Sequence, residues 1–147
     1  MVTRHKVAVC VYLILQRDNK VLLGLRQNTG FADGKWGLIS GHVESQESAR
    51  SALSREVAEE IGITVKVEDL CIVHVMHRRS DRENIDIFMT CRSYQGEIHN
   101  QEPHKCGKLA FFSQDQLPEF VIDYIAHALK NIKNGITYSE YGWDHAS

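Results

Sequence analysis

The chain has 147 residues, of which 43% are hydrophobic and 24% are charged, and its formal net charge is -2. This length fits one domain with a self-sufficient core, and the composition is ordinary for a globular protein. The charge excludes the basic surface that binding to duplex nucleic acid or to an anionic membrane requires, but it does not exclude a single nucleotide or a capped end.

The first part of the chain alternates strand patterns with turns. Val7 to Leu15 is apolar and rich in β-branched residues, which predicts a strand buried on both faces. A polar turn, Arg17 to Lys20, separates it from a second strand, Val21 to Leu25, so the pair predicts a hairpin. Residues 26–35 have the composition of a loop, and Trp36 to Ile39 predicts a short strand.

A helix is predicted next, beginning at Ser45 or Gln46 and ending at Ile61, where Gly62 can adopt a left-handed cap. Glu47 would lie in its first turn, at the positive end of the helix dipole. Three aliphatic residues at spacings i, i+4 and i+8 predict the face that packs on the sheet: Leu53, Val57 and Ile61.

The second part of the chain contains four more strand patterns: Val65 to Val67, Cys71 to Met76, Ile85 to Cys91 and Leu109 to Phe112. A polar segment, residues 96–108, precedes the last of them. A helical stripe then runs from Leu117 to Ile132 and ends before Gly135, and the tail from Tyr138 to Ser147 shows no periodicity. This order predicts an α/β sandwich with a curved mixed β-sheet.

Neither a secretion signal nor a membrane span is predicted, because no cleavage-type site and no sufficiently long apolar run is present. The cysteines are far apart in the chain and include no Cys-x-x-Cys pair: Cys10, Cys71, Cys91 and Cys106. Three fall in predicted strands and Cys106 in a loop. We interpret them as core or incidental thiols rather than zinc ligands, and we expect a reduced, cytoplasmic protein.

Three carboxylates recur at spacings i, i+3 and i+4 in the first predicted helix: Glu56, Glu59 and Glu60. They fall within roughly 100° of arc on one helix face. Like charges at this spacing repel each other by about 0.2–0.5 kcal/mol per pair, so a bound cation is the simplest reason for the arrangement. Carboxylate oxygens favour hard divalent ions, which predicts a Mg²⁺ or Mn²⁺ site. The alternative is an acidic helix face that is only solvated.

The segment around these glutamates resembles the Nudix box. Residues 41–63 match its defining positions: Gly41, Glu47, Arg55, Glu56, Val57, Glu59, Glu60, Gly62 and Ile63. The resemblance implies a single Nudix hydrolase domain over residues 1–147, with a Nudix-type α/β/α sandwich. It also implies a hydrolase dependent on Mg²⁺ or Mn²⁺ that cleaves the pyrophosphate of a nucleoside diphosphate linked to a group X.

The resemblance further implies roles for the residues of the box. The three glutamates would hold the metal, with Glu56 either a ligand or the base that orients the attacking water. The backbone carbonyl of Ser40 would be another ligand, and Gly41 would allow the backbone to approach the metal closely. Arg55 belongs to the same catalytic set, either as a direct participant or, together with Glu47, by holding the loop and the helix in position.

Residues outside the box are expected to complete the site. Many members of the family add an acidic metal ligand from a later loop, and Glu102 is our choice, ahead of Glu97 and Glu83. The alternative for Glu102 is a solvated loop carboxylate. Arg26, at the end of the second predicted strand, is expected to hold a phosphate bidentately, with Lys105 as a weaker candidate for the same task.

The substrate is constrained less than the chemistry. Asn28 to Trp36 and Glu102 to Cys106 are similar to MutT-like members, which hydrolyse nucleoside triphosphates, modified purine nucleotides included, to the monophosphate and pyrophosphate. The alternatives are the same chemistry on a nucleotide sugar, a dinucleotide or a capped RNA, and a non-catalytic module that senses nucleotides. Trp36 is expected to stack on the base of a small nucleotide, or else to pack in the core. Family members are often dimers, so the resemblance is compatible with a homodimer.

Overall fold

The computed structural model describes residues 2–144, and within them no helix is long and apolar enough to cross a membrane. The elements follow in this order: β1 (Ala8–Ile14), β2 (Gln16–Arg17), β3 (Lys20–Arg26), β4 (Trp36–Gly37), β5 (Ile39–His42), α1 (Ala49–Ile61), β6 (Leu70–Arg79), β7 (Glu83–Cys91), β8 (Cys106–Ser113), α2 (Asp123–Lys133) and β9 (Tyr138–Tyr141). The predicted α/β class with a mixed sheet and two helices is confirmed.

The strands form two sheets. The larger has the order β5-β1-β7-β6-β9, and in the smaller one β3 pairs with β2, β4 and β8. The larger sheet is mixed, because β1 runs parallel to β7 and β6 runs parallel to β9 while its other pairs are antiparallel. One core contains the predicted aliphatic face of α1 (Leu53, Val57 and Ile61), and the other contains Ile125 and Ala128 of α2.

The predicted hairpin is only partly formed. Strand β1 does not pair with β3, because it lies between β5 and β7 in the larger sheet. The two residues of β2 make the antiparallel pair with β3, across a turn in which Asp18 and Asn19 have φ of 51° and 62°. Such positive φ values at both central residues are typical of two-residue hairpin turns. The prediction was wrong about the partner of β1, since apolar periodicity indicates burial but not which strand lies alongside.

Helix α1 begins later than predicted. The Ser48 hydroxyl accepts a hydrogen bond from the Ser51 N–H at 3.1 Å and caps the first turn. Residues 45–47 therefore precede the helix, and Glu47 does not lie in its first turn. The other end agrees with the prediction, because Gly62 has φ of 74° and forms the left-handed cap.

Three strand predictions need correction. The segment Trp36 to Ile39 is divided between β4 and β5, which belong to different sheets. Val65 to Val67 is not a strand, because an isolated bridge at Thr64 and a 3-10 turn at Val67–Asp69 precede β6. Cys106, predicted in a loop, is the first residue of β8. All four cysteines are free thiols: Cys10 is buried, and Cys71, Cys91 and Cys106 are partly buried.

The tail forms a strand that was not predicted. Strand β9 adds to the edge of β6, where the fully buried His74 lies. The His74 ring bonds the Ile136 carbonyl and the Ser139 hydroxyl, each at 2.8 Å. These two bonds fasten the tail to the sheet. Residues 145–147 of the segment predicted to lack periodicity lie outside the described residues.

Candidate active site

A cavity of about 730 Å³ is lined by residues of both sheets and both helices. It brings together eight of the residues singled out from the sequence: Arg26, Ser40, Arg55, Glu56, Glu59, Glu60, Glu102 and Lys105. These residues come from four parts of the chain, namely the end of β3, strand β5, helix α1 and the loop before β8. The fold therefore brings into one cavity residues that lie as far apart in the sequence as Arg26 and Lys105, about half the length of the chain.

The Glu60 carboxylate is the most deeply buried of the three helix glutamates. The Ser40 backbone bonds to it, but its Oε2 atom has no partner among residues 2–144. Burial raises the pKa of Glu60 well above its ordinary value, and the negative charges of Glu56 and Glu102 raise it further. A buried, partly unpaired carboxylate that is repelled by its neighbours needs a cation to be stable in its charged form.

Glu56 lies directly against strand β5. Burial raises its pKa, hydrogen bonding and charge from Arg55 oppose this rise, and the charges of Glu59 and Glu102 add to it. A methyl group added to Gly41 would overlap the Glu56 carboxyl group. Only glycine at position 41 lets the backbone of β5 and this carboxylate come so close together.

The carboxylate oxygens of Glu56, Glu59, Glu60 and Glu102 are the donor type that a hard divalent ion prefers. They do not, however, converge on a single coordination centre. Among residues 2–144, no three His, Cys, Asp or Glu side chains form a ready metal cage. The Glu59 side chain is 53% exposed, with its carboxylate 3.5 Å from Arg55. Carboxylates are the donors that Mg²⁺ and Mn²⁺ prefer, and the unpaired Glu60 oxygen supplies a buried one.

Arg55 ties the loop before α1 to the helix. Its Nε and Nη2 atoms donate to the Glu47 carboxylate at 3.2 and 2.7 Å, and its Nη1 atom donates to Glu56 at 2.9 Å. Glu47 also accepts the Glu44 N–H at 2.8 Å, which closes the loop. Hydrogen bonding to Arg55 lowers the pKa of Glu47. This geometry fits the interpretation that Arg55 and Glu47 hold the loop and Glu56 in position.

The loop that carries Glu102 is docked on the C-terminal end of α1. The Gln101 side-chain amide donates to the Ala58 carbonyl, and at 3.4 Å to the Glu59 carbonyl. The backbone N–H groups of Gln101 and His99 donate to the next two carbonyls of the helix at 3.0 Å each. These carbonyls have no partner within the helix. The contacts therefore satisfy the helix end and set Glu102 beside the helix glutamates.

Of the three loop carboxylates considered from the sequence, Glu102 lines the cavity. Glu83 instead pairs with His77 at 2.6 Å and with His5 at 2.8 Å. Glu97 is exposed and is absent from the described residues that line the cavity. The geometry thus favours Glu102 as the residue that joins the acidic group, since its charge also acts on Glu56 and Glu60.

The two cations that the sequence analysis proposed as phosphate ligands, Arg26 and Lys105, also line the cavity. Arg26 donates from Nε to the Phe31 carbonyl at 2.9 Å and from Nη2 to the Thr29 hydroxyl at 3.1 Å. Its guanidinium carbon is 5.5 Å from the centre of the Phe31 ring. Lys105 is exposed on the cavity wall. Arg26 is therefore already oriented by the loop after β3, whereas Lys105 keeps its freedom to move.

Trp36 is absent from the described residues that line the cavity. Its ring packs edge-on against Phe112, with ring centres 4.8 Å apart, next to the core beneath α2. Its backbone N–H donates to the Phe120 carbonyl at 2.8 Å. The expected stacking of Trp36 on a base is not supported, and the core-packing alternative describes this side chain.

The cavity also reaches a buried polar network that was not predicted. Arg78, which is 4% exposed, donates to the fully buried Asp86 from Nε at 2.6 Å and from Nη2 at 3.4 Å. The Tyr12 hydroxyl donates to Asp86 at 3.0 Å, and the guanidinium carbon lies 3.9 Å from the Tyr124 ring centre. We call these four residues the arginine network. Burial lowers the pKa of Arg78, but the hydrogen bonds to Asp86, together with the charges of Tyr124, Asp86 and Tyr12, raise this pKa overall.

A signal for this network does exist in the sequence. Arg78 follows the buried Met76 at i+2 in β6, and Asp86 precedes the buried Phe88 by two residues in β7. Charged residues therefore occupy positions that the period-two pattern assigns to the core. That Arg78 and Asp86 form an ion pair can be recognised only once the pairing of β6 with β7 is known.

Comparisons with known proteins agree with this fold and site. The family model described as the NUDIX domain matches residues 4–132. The chain is 34% identical over 118 residues to the ADP-ribose pyrophosphatase of Methanocaldococcus jannaschii, which covers 80% of this chain and 68% of that protein. It is 39% identical over 69 residues to the CTP pyrophosphohydrolase of Escherichia coli, which covers 47% of this chain and 51% of that protein. The second match thus spans about half the length of the relative.

Among solved structures, the MutT NUDIX hydrolase of Burkholderia pseudomallei matches with a TM-score of 0.78 at 25% identity, covering 86% of this chain and 98% of that one. The family model extends over most of the chain. Five of the box residues predicted from the sequence line the cavity: Gly41, Arg55, Glu56, Glu59 and Glu60. The chain therefore belongs to the Nudix hydrolase family and is a hydrolase of pyrophosphate bonds.

Proposed function

We propose that this protein hydrolyses a nucleoside triphosphate to the monophosphate and pyrophosphate with the help of Mg²⁺ or Mn²⁺. One observation above all supports the proposal. The Glu60 carboxylate is buried beside two other carboxylates, and one of its oxygens is unpaired among residues 2–144. Such a site has a deficit of positive charge, which divalent ions accompanying a polyphosphate would supply.

The proposed metal ligands are Glu59, Glu60, Glu102 and the Ser40 carbonyl. A bound divalent ion neutralises phosphate charge and makes water a better nucleophile. Glu56 is the proposed base, because its raised pKa lies closer to pH 7 than the pKa of an ordinary glutamate does. Arg55 occupies one Glu56 oxygen at 2.9 Å, which leaves the other oxygen to accept a proton from the attacking water.

The cations of the cavity are the proposed phosphate ligands. Arg26 has an Nη1 group that is not used in its bonds to Thr29 and Phe31, and its guanidinium is held in place by both. Such a fixed planar fork suits a phosphate that is bound through two oxygens. Lys105 would add a mobile point charge to the same phosphate chain.

ADP-ribose is a second candidate substrate. The relative named ADP-ribose pyrophosphatase aligns with 80% of this chain, whereas the relative named CTP pyrophosphohydrolase aligns with 47%. The same acidic group would cleave either anhydride. A non-catalytic sensing role is disfavoured, because a sensor has no need for the full set of carboxylates in the box.

A substrate panel tests the proposal. Ribonucleoside and deoxyribonucleoside triphosphates, ADP-ribose, a nucleotide sugar, a dinucleotide and a capped RNA are incubated with the protein and Mg²⁺, and products are identified by phosphorus NMR. We expect a triphosphate to give monophosphate and pyrophosphate. Glu59→Gln should lower turnover by at least about 100-fold, whereas the exposed Glu68, changed to Gln as a matched control, should not matter. Tight nucleotide binding without any turnover would instead indicate a sensing module.

A further inference from the structure

Arg78 is a buried cation with unused hydrogen-bond donors. A guanidinium has five N–H groups. Two of them donate to Asp86, and one on Nη1 donates to the Ser80 hydroxyl at 2.9 Å. The other N–H of Nη1 and the other N–H of Nη2 have no partner among residues 2–144, although the side chain is only 4% exposed. Leaving such donors unpaired is costly unless a ligand or water satisfies them.

These donors belong to a rigid group on the cavity wall. Arg78, Tyr12 and Tyr124 all line the cavity that contains the acidic group. Asp86 accepts hydrogen bonds along one edge of the guanidinium. The Tyr124 ring lies over one of its faces, with the guanidinium carbon 3.9 Å from the ring centre. A buried ion pair is not needed for stability, because well-packed apolar residues usually serve as well. A preorganised donor pair beside a cavity, however, is what selective recognition of a ligand requires.

The arginine network lies at a suitable distance from the proposed metal ligands. Ser40 and Gly41 of β5 adjoin Glu60 and Glu56, and β1 and β7 separate β5 from β6, which carries Arg78. Three strand spacings of about 4.8 Å amount to roughly 14 Å. One nucleotide can extend over this span, with its phosphates at the glutamates and its ring at Arg78.

We infer that the arginine network is the subsite for the nucleobase, in which Arg78 donates hydrogen bonds to a ring carbonyl of the base. This inference rests on the proposed nucleotide substrate. The network offers donors but no free acceptor group of comparable strength, because Asp86 already accepts from Arg78 and Tyr12. Guanine, cytosine and uracil offer a ring carbonyl oxygen. Adenine offers N1 and N7 as acceptors, but its amino group, which is itself a donor, lies beside both of them and would face the N–H groups of Arg78. The subsite therefore selects these three bases over adenine.

Calorimetric binding of products tests the inference without requiring turnover. The probes are GMP, CMP, UMP, AMP and ribose 5-phosphate, which has the sugar and phosphate but no base. With the full chain, the carbonyl-bearing nucleotides should bind about 10–100-fold more tightly than AMP and ribose 5-phosphate, as expected for hydrogen bonds from a charged donor. Arg78→Lys should abolish this difference and leave ribose 5-phosphate unaffected. Arg79→Lys, on the exposed neighbour outside the cavity lining, is the matched control and should behave as wild type.

A second variant keeps the test decisive if Arg78→Lys folds poorly. Arg78→Met combined with Asp86→Asn removes both charges at once, so that no buried carboxylate is left alone. Base selectivity lost in either folded variant supports the subsite, even if no triphosphate is hydrolysed and the proposed function fails. Selectivity retained in a folded variant, or AMP binding as tightly as GMP in wild type, overturns the subsite while the hydrolase assignment stands.

Discussion

Replacing Glu60 with Gln separates the effect of this side chain on stability from its effect on function. Gln has nearly the same shape but no charge. In the metal-free protein the Glu60 carboxylate is buried, one oxygen is unpaired among residues 2–144, and Glu56 and Glu102 repel it. Gln still places a polar amide at this position, but it removes the buried charge and its repulsion, and a buried group left unsatisfied costs about 1–3 kcal/mol, or more when it is charged. We therefore expect the metal-free variant to exceed the wild type in free energy of unfolding by about 1–3 kcal/mol.

The advantage of the variant should grow with pH. Burial raises the pKa of Glu60 well above its ordinary value of 4.5, so the folded protein binds this proton more tightly than the unfolded chain does. The resulting stabilisation of the wild type is complete below that ordinary value and is lost as the pH rises through the higher folded-state pKa. Glu60→Gln lacks this loss, since its amide does not titrate.

Urea unfolding followed by tryptophan fluorescence, from acidic to alkaline pH, provides the measurement. In EDTA the variant should be the more stable protein, increasingly so at higher pH. With Mg²⁺ at about 100 times its Kd, the wild type should gain about 2.7 kcal/mol and the variant much less. Turnover should be lost in the variant. A variant that is less stable than wild type in alkaline EDTA, or that gains as much from Mg²⁺, would refute the reasoning.

Three further substitutions probe the parts that position the site. Gly41→Ala should displace the Glu56 carboxylate, which the added methyl group would overlap. It should therefore lower kcat about 10–100-fold in steady-state assays with little change in the free energy of unfolding. An unchanged kcat would count against the close approach of β5 to Glu56. Gln101→Ala removes the amide contacts to the end of α1. It should lower the free energy of unfolding by about 1 kcal/mol and weaken Mg²⁺ binding measured by calorimetry. An unaltered Mg²⁺ affinity would show that this loop does not position the site. His74→Ala should lower unfolding free energy by about 2–4 kcal/mol without changing kcat, and a smaller loss would mean that β9 is held by other contacts.

Local patterns were enough to predict the acidic helix and its surroundings. The spacing of Glu56, Glu59 and Glu60 places them on one face because helix geometry is nearly constant, and Leu53 and Val57 place the opposite face in the core. The Gly62 cap was predictable for the same reason, since few residues adopt its φ of 74°. The start of the helix was not, because Ser45 and Ser48 are both suitable caps and only the fold selects Ser48.

Features that depend on which strands become neighbours could not be predicted. The partners of β1 and the parallel strand β9 are set by long-range pairing, and residues 138–141 have no apolar alternation to mark them. The ion pair between Arg78 and Asp86 spans two strands whose register was unknown. The alternation of each strand could mark its charge as inward-facing, but it could not identify the partner of that charge. Sequence patterns thus miss those polar groups whose partner is known only once the strand pairing is known, whereas Arg26, Glu102 and Lys105 could be predicted although they lie outside the box.

Calorimetric titration of Mn²⁺ and Mg²⁺ into the intact, metal-free protein tests the central claim most directly. We predict uptake of the ion by wild type, with a Kd that tightens when nucleotide is present, and loss of that uptake in folded Glu59→Gln and Glu60→Gln. If wild type takes up neither ion, with or without nucleotide, the acidic group is not a metal site and the account is contradicted.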